Sequence, residues 1–259
     1  MPINFFDFPA EIRLQIYEEL LVLPETIKFQ TTKELSLPPL ILQKRCGLCP
    51  AALRANKTVH REANELLYTR NRFEFIDLIP TERLMYPNCT AVEYFLNQIG
   101  RPNASLLRHI CIKFPAIIDY RPGTARLCGD SIRTLELVQE NCTGLTILET
   151  PLYGIFLLEF YFTDTGRVKR RIADAALELV DSSFREISSL QEIIIHVYTS
   201  DKPSDELLQK MRGYGWTTRI VLDTEAEESD LEEPEDDSDI DSDDFLEIEA
   251  EEEEDNDLI

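Results

Sequence analysis

Ile12, Ile16 and Leu20 recur at four-residue steps behind Phe8-Pro9-Ala10-Glu11, and Tyr17 and Leu21 widen the apolar stripe. That period predicts a helix over residues 9–21. Proline at its first position forfeits no hydrogen bond, Glu11 suits the positive first turn, and Pro24 lies past its end. Arg13, Gln15, Glu18 and Glu19 fall on the opposite, polar side. A second helical pattern covers residues 51–68, with Leu53, Val59, Ala63, Leu66 and Leu67 on its apolar face and Asn56 among them. Between the two, residues 23–50 carry Pro24, Pro38, Pro39 and Pro50 and read as a long connection with one short strand at 26–30. Asn71 and Arg72 then turn the chain into the alternating strand Phe73-Glu74-Phe75.

From Thr90 onward the pattern switches between periods of 3.6 and 2. Helices are predicted at 90–98 (capped by Thr90, ended by Gly100), from a capping Asp130 through Val138, at 168–184 and at 204–211. Strands are predicted at 106–114, 144–148, 189–198 and 216–222, and residues 155–162 fit either a strand or a buried helical segment. Leu107, Leu145 and Leu190 open three of the strands, 38 and 45 residues apart, each preceded by a helix. This alternation predicts an α/β fold with a mostly parallel sheet covered by helices.

Charge divides the chain. Residues 223–259 hold 22 acidic residues and no basic one, whereas the first 222 carry 27 acidic against 26 basic residues. Self-repulsion and scarce apolar surface predict that this acidic run is disordered. It serves solubility or draws basic partners such as histones or ribosomal proteins. Phe245, Leu246 and Ile248 are its only oily island, and Ser229 and Ser238 sit where acid-directed kinases act. No export signal opens the chain and no stretch is apolar enough for a membrane span, so a cytoplasmic or nuclear protein with reduced cysteines is expected.

Motifs with chemistry are sparse. There is no phosphate loop, nucleophile elbow or His-Glu-x-x-His pair, and His60, His109 and His196 are read as a surface residue and two strand residues. Catalysis is not expected. Cys46-Gly47-Leu48-Cys49 has the spacing of half a zinc site or a redox pair but lacks a matching second pair, so neither metal nor cofactor is expected. Arg167, Lys169, Arg170 and Arg171 form the densest basic patch, yet 22 negative charges on the same chain would repel phosphate, so nucleic acid is not an expected partner.

The segments Phe8-Pro9-Ala10-Glu11-Ile12-Arg13 and Glu62-Ala63, Leu66-Leu67-Tyr68, Asn71-Arg72-Phe73-Glu74-Phe75 occur in one order over about a third of the body. Together they resemble the F-box and F-box-like proteins, in particular the filamentous-fungal group with a Glu-x-Arg signature. Asn56 and Lys57 depart from that group's usual cysteine and arginine, Phe8 replaces a leucine, and the proline-rich stretch separates helices that a bona fide F-box packs within about fifty residues. The resemblance implies an F-box-like helical region (1–77), a recognition region (78–222) with the narrower option of degenerate leucine-rich repeats, and the acidic run (223–259). It further implies a non-enzymatic substrate receptor of a cullin-based ubiquitin ligase. Pro9, Ile12, Ile16 and Leu20 would grip the ligase (SCF) adaptor, and the back half would select an unknown protein target. The alternative is an F-box-like scaffold without adaptor contact whose acidic run attracts basic proteins.

Overall fold

The computed structural model describes residues 4–31, 40–42, 47–76, 90–119, 125–153, 167–199 and 203–222. The chain divides into two units, Met1–Thr224 and Glu225–Ile259, and every described residue belongs to the first. The expectations for residues 155–162 and for the acidic run lie outside the described residues.

Six helices and nine strands follow one another: α1 (Ala10–Leu21), β1 (Ile27–Thr31), β2 (Leu40–Leu42), α2 (Lys57–Arg70), β3 (Arg72–Ile76), α3 (Ala91–Ala104), β4 (His109–Cys111), β5 (Ile117–Asp119), β6 (Arg126–Leu127), α4 (Gly129–Asn141), β7 (Ile147–Tyr153), α5 (Arg167–Arg185), β8 (Glu192–Thr199), α6 (Asp205–Gly213) and β9 (Thr217–Leu222). Short 3-10 turns, Phe5–Asp7 and Pro50–Arg54, precede α1 and α2. Seven strands form one sheet in the order β2-β1-β3-β4-β7-β8-β9, and β5 and β6 form a small antiparallel pair. Only β2 runs antiparallel to its neighbour in the large sheet. The fold is thus α/β with a mostly parallel sheet, and from β1 to β9 spatial order follows chain order.

The helix-to-strand joins repeat. Leu107, Leu145 and Leu190 each stand two residues before a strand, and each donates its N–H to the carbonyl three residues earlier, Ala104, Cys142 and Ile187 (3.2, 3.0 and 3.0 Å). Those three acceptor residues are buried, as are Leu107 and Leu145. The leucines thus plug the turn that passes the chain from helix to sheet.

Side chains alternate between the two faces of a sheet, and register partners share a face. One face presents Ile27, Phe73, Phe75, Ile110, Leu148, Leu152, Ile195 and Val197, all in a single core. The same core receives Phe95 and Leu96 from α3, Leu135 and Val138 from α4, Ala176, Val180 and Phe184 from α5, and Leu207 and Met211 from α6. The other face presents Lys28, Arg72, Glu74, His109, Cys111, Glu149, His196 and Tyr198, none of which belongs to that core.

Several local expectations are corrected. Pro9 caps α1 from outside rather than opening it. The predicted helix over 51–68 is a 3-10 turn followed by α2, because Asn56 leaves the apolar face to cap α2, accepting from the Thr58 and Val59 N–H groups (2.8 and 2.9 Å). Asp130 lies in the first turn of α4, whose cap is Cys128. Thr90 caps α3 as expected, but helical residues resume beyond the kink at Gly100, which has φ 73°.

Candidate functional site

α1 and α2 pack through Tyr17, Leu21, Val59 and Ala63, all buried. Arg13, expected on the polar side, turns instead toward α2: its Nε and Nη2 donate to the two carboxylate oxygens of Glu62 (3.0 and 2.7 Å), and Nη1 donates to the Phe8 carbonyl (2.7 Å). The hydrogen bond from Arg13 outweighs burial and holds the Glu62 carboxyl below its ordinary range. Asn71 closes the pair. Its Nδ2 donates to the carbonyls of Leu21 and Leu67 (2.6 and 2.8 Å), and its Oδ1 accepts from Leu23 N–H (2.9 Å). The two sequence motifs are therefore tied to each other through Arg13–Glu62, Ala63 and Asn71, a structural reason for their occurring together.

Pro9, Ile12, Ile16 and Leu20 remain outside this packing. Ile12, Ile16 and Leu20 are 40, 38 and 38% exposed. At 100° per residue they form a ridge adjoining, not facing, the Tyr17–Leu21 side that α2 covers. Phe6, Phe8 and Leu14 are exposed nearby, so the amino-terminal segment concentrates apolar surface in water. Gln15, Glu18 and Glu19 border a shallow depression beside Ile12 and Ile16.

The second concentration of chemistry is on the polar face of the sheet, and no motif announced it. Glu149 of β7 is 2% exposed. Its Oε1 accepts from His109 Nε2 of β4 and its Oε2 from His196 Nε2 of β8, both at 2.9 Å, and Arg72 of β3 pairs with Oε2. Burial raises the cost of ionising Glu149, but the two histidine hydrogen bonds and the Arg72 charge prevail and bring its pKa down to about 2. One carboxylate thereby joins four adjacent strands. His109 and His196, read as strand residues, are both anchored on it, whereas His60 is exposed as expected. The usable signal was a lone carboxylate inside the apolar run Ile147-Leu148-Glu149-Thr150.

Cys111, next to this cluster, is a buried free thiol pushed up to about 12, chiefly by burial and then by the Glu74 charge, so it is not a nucleophile. Cys49 is a free thiol whose backbone N–H bonds the Leu20 carbonyl (3.0 Å); its proposed mate Cys46 lies outside the described residues, as do the side chains of Arg167, Lys169, Arg170 and Arg171. Among the described residues, no group of three His, Cys, Asp or Glu side chains could hold a metal ion, and no helix is long and apolar enough to cross a membrane. No protein-family model matches the chain, and no match to it was found among curated proteins or solved structures.

Proposed function

We propose that this chain is a non-enzymatic protein-binding module, an F-box-type substrate receptor of a cullin-based ubiquitin ligase acting in the cytoplasm or nucleus. One observation carries the reading: α1 is held to α2 along one side, and the adjacent ridge of Ile12, Ile16 and Leu20 is left in water. Covering what remains exposed on each of these side chains would contribute about 1 kcal/mol per residue. The ridge with Pro9 is the surface offered to the ligase adaptor. The region from α3 to β9 selects the target, and its recurring Leu107, Leu145 and Leu190 joins support a degenerate leucine-rich-repeat reading.

The test is capture of the chain by the purified ligase adaptor, comparing wild type with an Ile12→Asp/Ile16→Asp variant. Both sites are exposed, so the variant should keep its circular dichroism spectrum and urea midpoint while losing capture at least ten-fold, about what deleting two anchor contacts removes. Absent capture, or capture indifferent to the substitutions, would reject the reading. It would leave the alternative of an F-box-like scaffold whose acidic run draws basic proteins, tested by the salt-sensitive partners lost on deleting residues 223–259.

A further inference from the structure

The parallel strands end along one edge of the sheet, and open α/β sheets place ligands just beyond such carboxyl ends. On the polar face that edge carries Glu74 of β3, Cys111 of β4, Tyr153 as the last residue of β7, and Tyr198 of β8. Tyr153 and Tyr198 are register partners whose rings stack with centroids 4.9 Å apart and planes 23° from parallel. Tyr153 is 61% exposed, more than any other large apolar side chain among the described residues. One face of its ring therefore rests on Tyr198 and the other meets water.

Glu74 lies near both rings. Burial and then the Glu74 charge hold Tyr198 above its ordinary range; for Tyr153, burial and Tyr198 come ahead of Glu74. The ion-pair partner of Glu74 is Lys28 Nζ, 3.4 Å away on β1, with 48% of the lysine side chain exposed. A solvent-facing pair of this kind contributes little and is readily exchanged. Arg72 and Glu149, the neighbouring charges, are committed to each other. What remains on offer is an open aromatic face and a loosely held carboxylate.

Those two groups match a planar cation. A guanidinium stacks on a tyrosine ring and forks two N–H donors onto a carboxylate, which a point-charge ammonium cannot do. The 22 acidic residues that follow position 222 favour the same class of partner, since they raise the local concentration of basic chains. We propose that this edge of the sheet is a seat for an arginine side chain on a basic protein segment, with Tyr153 as the stacking platform and Glu74 as the pairing acid. The inference deepens, and rests on, the reading of the α3 to β9 region as the part that selects a target.

The test uses the full chain isotope-labelled in its tyrosine rings, none of which lies in the acidic run. It is titrated by NMR with acetylargininamide and, in parallel, with the neutral isostere acetylcitrullinamide. Tyr153→Phe and Tyr198→Phe assign the two signals. The arginine compound should move both rings saturably and the citrulline compound should move neither. Glu74→Gln should weaken the titration about three-fold. Tyr153→Ala, read at Tyr198, should weaken it about five-fold. Equal shifts with both compounds, shifts that spare these two rings, or a titration unchanged by Glu74→Gln would overturn the proposal. Adaptor capture through α1 uses none of these residues, so loss of either activity is read separately from the other.

Discussion

Replacing Glu149 by glutamine tests whether the four-strand carboxylate stabilises the sheet. The side chain keeps its shape, but the charge facing Arg72, His109 and His196 is removed. A carboxyl whose pKa falls from the ordinary 4.5 to about 2 on folding contributes about 3 kcal/mol at neutral pH. That is the scale expected when one member of a buried ionic cluster is deleted. Because the folded pKa is the lower one, the contribution is complete well above pH 4.5 and disappears as the pH falls through 4.5 toward 2. Urea unfolding of wild type and Glu149→Gln should therefore differ by about 3 kcal/mol at pH 7 and by less than half of that near pH 3. Other carboxyls titrate in both proteins, so the difference isolates this site. A gap that is constant with pH, or smaller than about 1 kcal/mol at pH 7, would refute the assignment of stabilising charge to Glu149.

Two further substitutions probe the frame around the candidate sites. Asn71→Ala removes three buried hydrogen bonds that bind the end of α1 to α2, and should cost about 2–4 kcal/mol in urea unfolding. It should also expose the Leu23 amide, so unchanged hydrogen exchange there would contradict the role. Gly144→Ala would place a methyl 2.5 Å from the Ser105 carbonyl oxygen and against Arg108, and should cost about 1–3 kcal/mol by thermal or urea denaturation. Gly129→Ala, which meets open space at the start of α4, is the matched control and should be neutral or slightly stabilising.

Period and punctuation revealed most of the elements, since α5 (Arg167–Arg185), β8 (Glu192–Thr199) and α6 with its Ser204 cap all fall within a few residues of their predicted bounds. The strands β2, β5 and β6 escaped because runs of two or three residues carry no period. On α1, spacing marked Ile12, Ile16, Tyr17, Leu20 and Leu21 alike as one stripe. It could not divide them into the side α2 covers and the side left in water, because that division depends on a helix some forty residues away. Arg13 was misplaced for the same reason: its partner Glu62 is 49 residues distant. The Glu149 cluster was hidden further still, as its four members come from four strands and share no spacing that sequence displays. Asn56 was legible in kind as a capping residue, but the apolar pattern around it concealed where α2 begins.

A sheet laid down in chain order has the mechanics of a stack of cards rather than of a woven mat. From β1 to β9 each strand leans on the ones made just before and just after it, so no late segment has to thread back between early ones. Trimming the far card, β9, with four of its six residues exposed, strips one neighbour from β8 and leaves the other strand pairings intact. Breaking β4 or β7 instead separates everything before it from everything after it, which is where Glu149 fastens the deck.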